Sequence, residues 1–379
     1  MKSKPNSLVL TAAGLTLAFG VSCPRTGQAQ GDMPRYEVDP SWPKPLPDHW
    51  ITGMIGGVCV DAQDHVFVLN RRNLTDHELD AGSQAPPVIE FDPEGKVVNS
   101  WGDPDVLPLG SLHSCMVDRD NNVWLTAVGD GIVQKYSHDG KLLLQIGKRG
   151  VVDSSDGTLT GKALNSGHTA FFRPSGIAFD PKNGDIYISD GEILGGNHRV
   201  AVFDRNGQFL RQWEPHRAPD ETGDAWRVLV VCVAMDNDGN VYNCDRPAHR
   251  LQVFDKMGNF KKNIPIPFEP RSQYSTAGPG HSPSAWGLIV PGGWGTAVAV
   301  SFSRDPGQKF MFVTNEDDEQ IEILDRAGGR ILGHFGRGGH QLGGFTHAHH
   351  IAVDSKGNIY VGEVSTGERV QKFKIVGTS

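Results

Sequence analysis

The segment FTHAHHIAVDSKGNIYVGEV, Phe345 to Val364, carries three histidines, His347, His349 and His350, at the mouth of an apolar strand. Imidazole is a ligand for zinc, iron, copper and nickel. It is equally at home as a polar group hydrogen-bonded in a channel. A fourth histidine, His113, stands ahead of a similar strand in LHSCMVDRDNNVWLT. Beyond Cys23 there are four cysteines, Cys59, Cys115, Cys232 and Cys244. None has CxxC spacing, so a cysteine zinc site is not expected. Cys232 and Cys244 flank a hairpin turn in VCVAMDNDGNVYNCDR, and opposed cysteines there form either a disulfide or two small buried apolar residues. The chain has no G-x-S-x-G elbow, no P-loop, no dinucleotide fingerprint and no C-x-x-C-H haem attachment.

What the histidines can do depends on the elements that hold them. One pattern recurs along the chain: an apolar strand, an Asp-rich turn, a β-branched and aromatic strand, then a third strand and a second turn. The first two strands read GGVCVDAQDHVFVLNR, HSCMVDRDNNVWLTAV, SGIAFDPKNGDIYISDG, VCVAMDNDGNVYNCDR, VSFSRDPGQKFMFVTNE and IAVDSKGNIYVGEV. Asp61, Asp118, Asp180, Asp236, Ser303 and Asp354 share one turn position, at spacings of 57, 62, 56, 67 and 51 residues. The second turns, DPEG, SHDG, DRNG, DKMG and DRAGG, carry the residues that tight hairpins need. Six four-stranded units of this kind close radially, so the expected fold is an all-β, six-bladed β-propeller. The sixth unit lacks an outer strand. RYEVDPSWP, Arg35 to Pro43, is expected to supply it and close the ring.

In a propeller the first strand of each blade lines the central channel. Five residues before the shared turn position stand Gly56, His113, Ser175, Val231, Val298 and His349. Blades two, four and six alternate around a six-membered ring, so histidines from them would form a three-nitrogen cap with an open coordination position. Two are present, and Val231 cannot be the third. His350, His347 or a carboxylate could complete the set.

The x-x-D-x-x-G-N-[VI]-[YW]-[VIL] and R-[VL]-x-x-F-D-x-x-G cores resemble NHL repeats. The placement of LHSCMVDRDNNVWLT and AHHIAVDSKGNIYVGE resembles the peptidyl-α-hydroxyglycine α-amidating lyases and their bacterial relatives, over about Trp50 to Phe373. That resemblance implies zinc held by histidines of blades two, four and six, calcium in the channel, and an Arg and a Tyr beside the substrate. His113 and His349 match the blade-two and blade-six ligands, and Val231 falls at the blade-four ligand. Arg71 in FVLNRRN matches the Arg, which would fork onto a substrate carboxylate. Glu192 in SDGEILGGNHR stands where the Tyr is expected, and a role as general base or as an oxygen ligand follows for it. His350 replaces an Asp of the calcium site, which argues against calcium. Asp190 and Arg246 are expected to be structural pairs between blades.

The implied activity is that of a lyase with a metal at His113, His349 and His350 and with Arg71 and Glu192 at the chemistry, acting on a small or peptide-derived carboxylate. The other reading is a non-enzymatic propeller that binds a ligand or protein on its loop face; Val231 and the absent Tyr favour it. With 379 residues, a formal charge of −8 and no basic stripe, nucleic acid is not an expected partner. Lys2 and Lys4 precede the short apolar run Leu8 to Val21, and TGQAQ follows, so residues 1–29 read as an export signal. Residues 30–49 form the closing segment and 50–379 the propeller. A periplasmic or extracellular monomer without a membrane span is expected, with lipid attachment at Cys23 as the alternative.

Overall fold

A computed structural model describes residues 33–378, apart from residues 104, 108–111, 152–166, 193–196, 219–228 and 270–294. The expected export signal and Cys23 lie outside the described residues, as does most of the long Gly-, Pro- and Ser-rich inter-blade loops. Six four-stranded antiparallel sheets surround one axis. Their innermost strands are Ile55–Val60, Leu112–Val117, Pro174–Phe179, Val233–Met235, Ala297–Phe302 and Ala348–Val353. A single short helix, Asp76–Ala81, is the only α-helix among the described residues, and a Thr75/Glu78 capping box starts it. No helix among the described residues is long and apolar enough to cross a membrane.

The turns form because an Asp side chain substitutes for a backbone acceptor. Asp118 Oδ1 accepts from the backbone N–H of Asp120 and Asn122, and Asp236 and Asp354 repeat this two-pronged bond. In blade five Ser303 stands at that position and its Oγ bonds Asp305 and the N–H of Phe310. A second repeated device locks strand two to strand three. The acid that ends strand two meets the arginine that opens strand three: Asp190 with Arg199 at 2.9 Å, Asp245 with Arg250 at 2.7 Å and Glu363 with Arg369 at 2.7 Å. Asp190 therefore pairs inside blade three, not between blades as its sequence context suggested. Antiparallel register places Asp190 opposite Arg199, and the whole pair is buried.

Six apolar clusters hold the sheets together, one for each junction between neighbouring blades. The junction of blades one and two, for example, packs Phe67, Leu69 and Val88 against Leu112, Leu125 and Tyr136. Two disulfides reinforce this core. Cys232–Cys244 spans the blade-four hairpin, and Cys59–Cys115 ties blade one to blade two near the axis. The ring closes as the repeat required: Pro34–Val38 pairs antiparallel with Val370–Thr378 as the outer strand of blade six. Tyr36 seals that seam by packing on Phe312 and Phe335 of blade five, with ring centroids 5.7 and 5.0 Å away.

The seam gives a direct expectation. Tyr36 is half-buried, so Tyr36→Ala should cost about 2–3 kcal/mol, somewhat less than loss of a fully buried aromatic ring. Deleting the residues through Val38 should cost more, because blade six would lose its outer strand. Urea unfolding midpoints measure both. Equal stability of the deletion and native proteins would contradict closure by this strand.

Candidate functional site

The start of each inner strand is irregular, and that irregularity builds the site. In blade one, residues 55 and 57 pair with Asn70 and Leu69, leaving Gly56 as an extra residue. The same break leaves Ser175, Val298 and His349 as the extra residue in blades three, five and six. In blade two it spans His113 and Ser114. These are β-bulges, which re-aim side chains that a regular strand would alternate. Both His349 and His350 consequently stand near His113, with ring centroids 4.7 and 5.5 Å from it.

His113 is almost wholly buried. Its Nδ1 lies 2.6 Å from the carbonyl of Ser175 and its Nε2 lies 2.9 Å from Glu192 Oε1. A carbonyl only accepts, so Nδ1 carries a proton. Nε2 then faces the carboxylate either as the second N–H of an imidazolium or as a lone pair beside a shared cation. Burial opposes ionisation of Glu192. The His113 ring, its hydrogen bond, and the Arg71 and Arg246 guanidiniums outweigh burial and pull the carboxyl down to about 2. His349 is held well below 6.5 by burial, then by His113, His350, Arg71 and Arg246. It is neutral at pH 7, and its buried Nδ1 has no hydrogen-bond partner. His350 is likewise held well below 6.5, by burial first and by the neighbouring cations after it. One donor atom each from His113, Glu192 and His349 lies within 4.8 Å of the others, a spacing that could hold a metal ion.

The structure gathers four sequence candidates, His113, Glu192, His349 and His350, with Arg71 beside them. Arg71 donates from Nε to the carbonyl of Leu112 at 2.7 Å, next to His113. Gly56 makes room for this. A Cβ there would lie 2.0 Å from the Leu112 oxygen and 2.9 Å from Arg71 Nε. Gly191, at φ +144°, turns the chain so that Glu192 reaches the axis; a Cβ would lie 1.8 Å from the carbonyl of Asn197. Val231 lies in the apolar cluster between blades four and five, so the described part of blade four gives no ligand at this position. His347 is drawn away: its Nδ1 is 2.8 Å from Ser365 Oγ and 3.7 Å from Glu316. Glu319 accepts from the N–H groups of His347 and Ala348 and so anchors the strand that carries His349. Burial pushes the Glu319 carboxyl up to about 7.

Arg246 is a functional candidate that its sequence context concealed. It does bridge blades, through an ion pair with Glu316 of blade five. It also stands close enough to Glu192 to lower that carboxyl. Burial draws Arg246 down to about 10, a value at which it stays charged at neutral pH. The sign of its role was present in the register: Arg71 and Arg246 each stand ten residues after the shared turn Asp, Asp61 and Asp236. The Cys59–Cys115 pairing also went unread, because its partners lie on different blades.

Glu192 gives the site a pH signature. Its folded carboxyl is depressed from the ordinary 4.5 to about 2, so its contribution to stability is full above 4.5 and disappears as pH falls toward about 2. The melting temperature of the native protein should therefore drop more steeply than that of Glu192→Gln between pH 5 and pH 2. Circular-dichroism melts measure this, and parallel profiles would refute the charged pairing.

An NHL-repeat family model matches residues 171–203, the first three strands of blade three. Human NHL repeat-containing protein 3 is 29% identical over 226 residues, covering 58% of this chain and 57% of that protein. Peptidyl-glycine alpha-amidating monooxygenase B of Xenopus laevis is 26% identical over 246 residues, covering 60% of this chain and 26% of that protein. The chain thus spans a little over half of the first relative and about a quarter of the second. A streptogramin B lyase structure shares the fold, with a TM-score of 0.50 at 13% identity, over 90% of this chain and 98% of that one. The chain is a six-bladed β-propeller that matches an NHL-repeat model in blade three and is similar to NHL repeat-containing and peptidyl-glycine amidating proteins.

Proposed function

We propose that this propeller is an exported lyase of peptidyl-hydroxyglycine type. The observation that carries the reading is the convergence of His113, His349 and Glu192 beside the Arg71 guanidinium. Similarity to the amidating monooxygenase supports it, and two disulfides support an oxidising compartment.

The donor set fits a zinc-type ion. His349 Nδ1 is a buried lone pair or N–H with no partner, and the lone pair of a neutral imidazole suits that metal. His113, His349 and Glu192 would hold the ion, with Glu192 in the place of a third imidazole. Bound there, it would act as a Lewis acid toward a hydroxyl oxygen. With Nε engaged on Leu112, the terminal nitrogens of Arg71 are left to hold a substrate carboxylate. Arg246 keeps the ring of charge balanced around Glu192. In this reading Glu192, whose carboxylate is held by His113 and kept ionised by the neighbouring guanidiniums, serves as a ligand and not as the proton acceptor. Neutral His350 stands next to His113 and is positioned to take the hydroxyl proton. In the reaction that proton leaves, the carbon–nitrogen bond breaks as the carbonyl forms, and the nitrogen takes up a proton. The products are a peptide amide and glyoxylate, with no oxidant or water consumed.

A glyoxylate-release assay on a peptide ending in α-hydroxyglycine tests this with zinc-loaded protein. The native protein should turn over. His349→Ala should lose at least about 100-fold in kcat/KM, and Arg71→Lys should act chiefly by raising KM about tenfold or more. Peptide binding without glyoxylate release would overturn the lyase reading and favour the binding propeller.

A further inference from the structure

A second cluster lies at the other end of the strands of blades one and two, among the Asp turns and away from the channel histidines. Asp61, His65 and Glu90 belong to blade one and His138 to blade two, and one donor atom from each lies within 4.8 Å of the others. Glu90 Oε1 is 2.6 Å from His65 Nδ1 and 2.9 Å from His138 Nε2. Asp61 and Glu90 are buried, at 7% and 2% exposure, while the two imidazoles are about one-third open to solvent.

The repeat shows what is unusual here. Every turn Asp uses Oδ1 to cap its turn, and in other blades Oδ2 has a donor as well. Asp118 Oδ2 has Trp124 Nε1 and Lys135, Asp236 Oδ2 has Asn240 and Tyr242, and Asp354 Oδ2 has Asn358 and Tyr360. In blade one the matching positions hold His65 in place of Asn and Phe67 in place of Trp or Tyr. Phe67 donates nothing, and Asp61 Oδ2 is buried without any partner. The strand-three position that supplies Lys135 in blade two is Glu90 in blade one. A cation is replaced by a second buried carboxylate at the position where a carboxylate already lacks a donor. Leaving one such oxygen unmet is costly, and adding a like charge beside it is costlier.

We propose that Asp61, His65, Glu90 and His138 form a structural site for a zinc-type divalent ion that clips blade one to blade two. A set of two nitrogens and two oxygens suits a four-coordinate zinc, and four protein ligands leave no open position for catalysis. Tetrahedral bonds of zinc length put donor atoms roughly 3.3 Å apart. The separations here, from 2.6 Å up to 4.8 Å, bracket that value, so small side-chain rotations suffice. An outer partner is also in place. The Asn121 amide lies 3.0 Å from His138 Nδ1, and its Oδ1 has no other bond. Turned by half a rotation, Oδ1 accepts from Nδ1–H and leaves the Nε2 lone pair for the metal, as the partner of a metal-bound histidine usually does.

Equilibrium dialysis of the full chain against zinc, followed by elemental analysis, tests the site. The expected pattern is that His65→Ala/His138→Ala and, as a milder variant, Glu90→Gln each bind one zinc fewer per chain than native protein. His113→Ala/His349→Ala should leave this zinc in place, so failure of the channel metal and failure of the rim metal give different results. Asn121→Gly should weaken rim binding about 10–100-fold, because it removes the outer acceptor; at φ +62° glycine fits without strain. Zinc should raise the melting temperature of native protein more than that of His65→Ala/His138→Ala. Native zinc content in both rim variants, with an unchanged zinc-induced thermal shift, would overturn the proposal.

Discussion

Closure of the ring is the constraint from which the rest follows. An open array of six sheets would leave one apolar face bare at each end. Pairing of Pro34–Val38 with Val370–Thr378 joins those ends, and six equivalent apolar junctions result. Once the circle is fixed, inner strands must converge, and their backbones approach closely enough that blade one tolerates only glycine beside Leu112. The hydrogen-bond ladder between first and second strands then breaks in the same place in blade after blade, and side chains turn toward the axis.

Convergence brings an electrostatic problem with it. Polar groups forced onto the axis must compensate one another. Arg71, His113, Glu192, Arg246 and Glu316 do so in a chain that passes from blade one to blade five. The result is a carboxylate kept ionised despite burial, and two histidines kept neutral by their own burial and by their cationic neighbours. A buried anion beside neutral imidazoles leaves the axis with lone pairs and negative charge facing one another.

The fold was legible because its determinants are local and repeated. The alternation of apolar strands recurs six times, the Asp turn five times and, three times, the arginine that opens strand three, and one missing strand had one candidate to replace it. His113 and His349 could be read as partners because register alone aligns them. Other features could not. Bulges are not written in composition, so the direction of His350 was open until the ladder was seen. The role of Glu192 depends on Gly191 turning a loop, and that of Arg246 on groups from three blades. Cys59–Cys115 joins residues with no local relation. His347, adjacent to the site in sequence, leaves it because a positive φ at that residue and the Glu319 carboxylate redirect the chain.

The bulge at the head of the inner strands has a wider meaning. It inserts one residue whose side chain is excused from the sheet's alternation, while the residues on either side stay paired in the ladder. Within this one chain the position is filled by glycine, histidine, serine and valine on otherwise similar blades. The scaffold thereby keeps its chemistry on interchangeable seats. The side chains that line the channel thus differ from blade to blade while the strand pairing around them stays the same, within the space each seat allows: the Leu112 carbonyl holds Gly56 to glycine.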